Sequence, residues 1–211
     1  MHRGRNEAGG VRWPIAIFIV LGIAVVGAVA WFVLFREDGL LERDVPEFSF
    51  QIDQVKGRGV QGPSSEDSLR SASEDLRSTL DAMYVAGFVD PGKWQGGRFS
   101  EVLEAFAGPA AKTARRDLED LTLGSSSRRI DFVQPNRGRL KVNFLLDGRR
   151  PFAAVAFTAF RATGDLSSGG RLSIQHDGEY VMRVIEGAWR IVGYEVRGNL
   201  ERAAPSGGQG S

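Results

Sequence analysis

A single uncharged stretch near the start of the chain limits what the rest can be. Residues 13–35 read WPIAIFIVLGIAVVGAVAWFVLF, and from Ile15 to Phe35 the run is unbroken. As a helix that run reaches roughly 32 Å, enough for the ~30 Å hydrocarbon core of a bilayer. Trp13 and Trp31 lie near its two ends, where an indole sits well at headgroup level. Pro14 falls in the first turn, where its missing N–H does no harm. The run predicts one transmembrane helix.

A cleaved signal peptide is the competing reading. Arg3, Arg5 and Arg12 form a basic start, and Ala28-Val29-Ala30 resembles a small-residue cleavage site. The apolar run continues through Trp31, Phe32, Val33, Leu34 and Phe35 with no polar stretch before the cut, which departs from that pattern. Arg3, Arg5 and Arg12 on one side outnumber Arg36 and Arg43 on the other, so the positive-inside rule places the N-terminus in the cytoplasm. The expected layout is a cytoplasmic tail (1–12), a membrane helix (13–35), a linker (36–64), an exported domain (65–200) and a disordered tail (201–211). The expected location is the cell membrane, single-pass.

An exported domain here must fold without disulfides, because the 211-residue chain has no cysteine. A net charge of +1, from 27 basic and 26 acidic residues, gives no sign of a nucleic-acid partner.

Periodicity divides the rest of the chain. Phe48, Phe50 and Ile52 alternate with Ser49 and Gln51, the pattern of a half-buried strand that either pairs with the domain edge or stays in the linker. Residues 56–65 read KGRGVQGPSS, a flexible connector. Leu69, Ala72, Leu76, Leu80, Met83 and Tyr84 form one helical stripe, expected to end around Phe88. Trp94 follows in a loop, tucked under the domain. A second helix is expected over 99–107 and a third from Pro109 to Gly124.

After Ser127 the period becomes two. Strands are expected at 130–134, 140–146, 152–160, from Leu172, at 180–185 and at 189–196. Asp147-Gly148 and Glu186-Gly187 read as hairpins, His176-Asp177-Gly178 as a turn, and residues 152–160 (FAAVAFTAF) as a strand covered on both faces. The fold class is α+β: three helices packed on a curved antiparallel sheet.

This order, ending in the strand Trp189-Arg190-Ile191-Val192, resembles the cone-shaped nuclear transport factor 2-like fold, and in particular the Mce-associated membrane proteins of actinobacteria. The bitopic scaffold component of type IV secretion and conjugation machines is similar in plan. Both resemblances imply a structural role, in which an exported domain docks to or stabilises an envelope complex, in the first case one of lipid transport.

The same fold also serves small isomerases and dehydratases, which set an acid or base inside the cone. Tyr84, Asp131, His176 and Tyr180 are the candidates. Tyr84 reads as core, Asp131 as a surface ion pair with Arg128 or Arg129, and His176 as an exposed turn residue. No Ser-His-Asp order, HExxH, CxxC or GxxxxGK motif is present. The expectation is therefore no enzyme, no catalytic residues, no cofactor and no metal. Phe144, Phe152, Phe157, Phe160, Tyr180 and Trp189 either line a pocket for a hydrophobic ligand or form the core. The expected partners are the membrane and other envelope proteins.

Overall fold

The leucine stripe forms one helix, α1 (Ser65–Tyr84), in the computed structural model, which describes residues 44–59, 65–94 and 99–202. Its N-terminal turn carries Glu66 and Asp67, favourable at the positive end of the helix dipole. Leu76, Leu80, Met83 and Tyr84 are buried. Each buried leucine contributes about 2 kcal/mol of hydrophobic stabilisation. The helix passes into a π-helical turn, Val85–Val89, which extends it by about the length expected. The next helices are short: α2 (Pro91–Trp94), α3 (Ser100–Glu104) and α4 (Gly108–Arg116).

The helices expected over 99–107 and 109–124 both stop early, because their final residues bond elsewhere. Ile191 donates its amide to the Ala105 carbonyl at 2.8 Å, and Ala107 donates to the Ile191 carbonyl at 2.9 Å, so this segment covers a sheet edge. Beyond Arg116 the chain folds back until Leu123 donates to the Gly87 carbonyl at 3.2 Å.

The sheet has five strands in sequence order: β1 (Gln51–Arg58), β2 (Ile130–Asp147), β3 (Arg150–Leu166), β4 (Arg171–Ile185) and β5 (Ala188–Arg202). β1 runs parallel to β2 and the other pairs are antiparallel. The domain is α+β as expected, with helices packed against the sheet, but the sheet is mixed and not antiparallel throughout, because the segment before α1 adds to its edge parallel to β2.

Several strands are longer than expected. The segments 130–134 and 140–146 are one strand, because an irregularity between Pro135 and Arg137 accommodates the proline. His176-Asp177-Gly178 is not a turn: β4 runs straight through it. Glu201 and Arg202, expected in a disordered tail, end β5. The Glu186-Gly187 hairpin is present, with φ of 52° and 80° as a tight two-residue turn requires.

β3 is not covered on both faces. Ala154, Ala156, Thr158, Phe160 and Ala162 face the core, while Phe157 on the other face is 38% exposed. The small core-facing residues let α1 approach β3 closely.

Phe48 and Phe50, ahead of β1, pack into the domain. Phe48 meets Phe160 edge-on at 5.2 Å, and Phe50 meets Tyr84 at 4.8 Å. The pairing with the domain edge is thus the alternative observed, and Lys56, Gly57 and Arg58 extend the same strand. A side chain on Gly138 would come within 2.8 Å of the Phe48 ring, so a glycine is needed beneath it.

Among the described residues no helix is long and apolar enough to cross a membrane. The run 13–35 lies outside the described residues, as do the rest of 1–43 and residues 203–211.

Candidate functional site: a buried hydroxyl and imidazole cluster

Three of the four candidate residues meet inside the domain. Thr158, His176 and Tyr180 all lie on the core face of β3 and β4, in neighbouring rows: Phe160 pairs with His176, Thr158 with Gly178, and Ala156 with Tyr180. Gly178 leaves a gap in that face. Tyr84, the last residue of α1, brings its phenol into the cluster from above. Its hydroxyl lies 2.7 Å from Thr158 Oγ1, 2.8 Å from His176 Nδ1 and 3.2 Å from the Tyr180 hydroxyl.

One fixed acceptor sets the direction of every bond. His176 Nε2 lies 3.0 Å from the Asp120 carbonyl oxygen, which can only accept, so Nε2 carries the proton. Nδ1 is then an acceptor, and Tyr84 donates to it. Tyr180 in turn donates to the Tyr84 oxygen, and so does Thr158, whose single proton goes to this 2.7 Å contact over the Gly178 carbonyl at 3.4 Å. The sequence runs from two hydroxyls through Tyr84 and the imidazole to a main-chain carbonyl, with each member engaged.

The surroundings are aromatic. Phe88 lies 4.7 Å from the His176 ring and 5.3 Å from Tyr84, and Phe160 lies 5.4 Å from Tyr84. Burial in this setting penalises charge. It pushes the His176 pKa down to about 4, against weaker opposing effects from the Asp120 carbonyl and Asp177. It also raises the pKa values of Tyr84 and Tyr180. At neutral pH the cluster is uncharged.

His176 is 2% exposed, which corrects the expectation of a surface histidine. Of the Asp-Gly pair that suggested a turn, the glycine makes room for the Tyr180 ring, which leans across it, and Asp177 pairs with Arg161 at 2.7 Å. A Cβ on Gly178 would lie within 2.7 Å of the Tyr180 hydroxyl oxygen.

Asp131 is not part of the cluster. It is exposed at the start of β2 and forms no ion pair with Arg128 or Arg129; Arg129 instead donates to Ser126 Oγ. Thr158 was not among the sequence candidates. Its signal was available, since it is the one polar residue in FAAVAFTAF.

The six candidate pocket aromatics separate. Phe144, Phe160, Tyr180 and Trp189 are in the core, whereas Phe152 and Phe157 are exposed. A surface depression lined by Gly108, Pro109, Lys112, Thr113 and Arg116 follows one side of α4 and includes no residue of the cluster. Among the described residues no group of three His, Asp or Glu could hold a metal ion.

Comparisons with protein-family models, with curated proteins and with solved structures return no match to this chain.

Proposed function

We propose that this chain is a non-catalytic, single-pass membrane protein. Its exported domain, a cone of the nuclear transport factor 2-like kind, docks to or stabilises an envelope assembly, with lipid transport the leading context. The uncharged run at 13–35 supports the anchor and carries the reading. The buried cluster supports the non-catalytic part. Its hydroxyls and imidazole bond to one another and to a carbonyl, and Phe50, Phe88 and Phe160 crowd round Tyr84. A general acid or base needs an atom within hydrogen-bond reach of a substrate, and here those atoms are already occupied.

The test is fractionation of cells expressing the full chain, followed by affinity capture from detergent extract. The expected result is a chain that stays in the membrane under alkaline wash, loses its domain to protease added outside the cytoplasmic membrane, and brings down other envelope proteins. A soluble mature chain beginning at Trp31, a domain untouched by that protease, or capture of this chain alone would overturn the reading.

A further inference from the structure

The face of the sheet turned away from the helices carries an unusual pattern. Strand register puts its residues in rows across β2 to β5. The middle row is Asn143, Val155, Val181 and Gly193. One row to one side is Leu145, Ala153, Arg183 and Arg190. One row to the other side is Lys141, Phe157, Glu179 and Glu195. Leu145 is 47% exposed, Val181 40% and Phe157 38%, with Val155 half-buried between them and Ala153 only 8% exposed, so the patch is open and is apolar at Val155 and Val181, with Asn143 at one end of the middle row.

Within one chain the flanking rows are mismatched. Arg183 sits directly across from Arg190, and Glu179 directly across from Glu195. Like charges opposite each other on neighbouring strands are destabilising. The β5 members are relieved locally: Arg190 donates to the Glu104 carbonyl, and Arg197 pairs with Glu195 at 2.8 Å. Glu179 and Arg183 are not. Both are exposed, and among the described residues neither has an ion-pair partner. Four residues apart on one strand they are separated by about 13 Å, too far to pair with each other.

We propose that a second copy of this chain covers this face, related by a two-fold axis lying along the Val155–Val181 row. Such a rotation reverses the strand direction and leaves each strand opposite its own copy, so each flanking row meets the other. Arg183 then faces Glu179 of the second copy, and Arg190 faces its Glu195. The bulky Phe157 meets the small Ala153, and Leu145 meets the aliphatic stem of Lys141. Every contact occurs twice, as an isologous interface requires. Arg183 and Glu179, the members left without a partner in one sheet, become complementary across two, and the Val155–Val181 pair is sealed between them. The pairing does not depend on the membrane reading above.

The chain has no cysteine, so an introduced one is its single thiol. The experiment uses the full chain in detergent micelles. Val181→Cys, on the axis, is expected to form a disulfide-linked dimer under mild oxidation, whereas Ser173→Cys on the same strand but far from the axis is not. Arg183→Glu is expected to raise the dimer dissociation constant about tenfold or more. Adding Glu179→Arg to Arg183→Glu exchanges the two signs and is expected to restore it. The proposal is overturned if Val181→Cys stays monomeric, if Ser173→Cys cross-links equally well, if dimer strength ignores Arg183→Glu, or if the double exchange weakens it further. Cross-linking of the Val181→Cys chain to a different protein instead would assign the face to that partner and equally overturn the second copy.

Discussion

The carboxylate of Asp81 on α1 accepts the backbone amide of Phe50 at 2.8 Å. The Ser49 hydroxyl donates to the same carboxylate at 2.6 Å, and Arg77 lies 3.8 Å from it. One side chain of the long helix thus fixes the main chain where it enters the sheet, and places Phe48 and Phe50 among the core aromatics.

Asp81→Ala should lower unfolding free energy by about 1–3 kcal/mol, because the Phe50 amide loses its acceptor. Asp81→Asn, which keeps an acceptor oxygen, should lose less. Denaturant unfolding measures both, and hydrogen exchange at the Phe50 amide should accelerate in the alanine variant. Burial is the main influence on this carboxyl and raises its pKa against the lowering effects of Ser49, Phe50 and Arg77. That shift favours folding below the ordinary value of 3.8 and is lost as pH rises through the folded value.

Acid should weaken the domain through His176. The unfolded imidazole titrates near 6.5 and the folded one near 4, so between those values the unfolded chain binds a proton that the folded chain does not. The associated stability is complete above pH 6.5 and is lost as pH falls toward 4, amounting to about 3 kcal/mol. Unfolding midpoints at pH 7.5 and 4.5 should differ accordingly. In His176→Gln, which cannot charge, that difference should shrink.

Tyr84→Phe removes the hydroxyl shared by three partners. The His176 acceptor and the Tyr180 and Thr158 donors lose their common neighbour, at a cost of about 3 kcal/mol. Because the members act as one network, Tyr84→Phe and His176→Gln together should cost less than the sum of the two alone. A double-mutant cycle in denaturant reads this directly.

Gly178→Ala should destabilise by about 1–3 kcal/mol, since the added methyl group collides with the Tyr180 ring. On a Tyr180→Ala background the same substitution should cost much less. Thermal melts of the four chains in that cycle distinguish a ring clash from a general intolerance of alanine in β4.

The leucine stripe of α1 and the alternation in β2 to β5 were legible because helix and strand periods are local properties. The ends of α3 and α4 were not. They are decided by bonds from Ile191 and Leu123 to residues distant in sequence. His176-Asp177-Gly178 has the local chemistry of a turn, yet Gly178 serves a tertiary purpose two residues from the ring it accommodates. Tyr84 and Tyr180 could be marked as apolar-face residues from their spacing alone. That they share a hydrogen bond with each other and with His176 depends on the β3–β4 register and on how far α1 extends, and neither is written in any short window. The outer face was hidden for the same reason: Arg183 and Arg190 look ordinary in sequence and become neighbours only once the hairpin closes.

The entry point of the main chain has a mechanical consequence. Tension arriving through Asp44 reaches two wedged rings before it reaches any ladder bond: Phe48, seated over Gly138, and Phe50, whose amide is latched to Asp81. To peel away the first strand, a pulling force must first extract both rings from beside Phe160 and Tyr84. A tug on the leading segment is therefore resisted by the body of the domain, as a rope is held by a knot behind a plate.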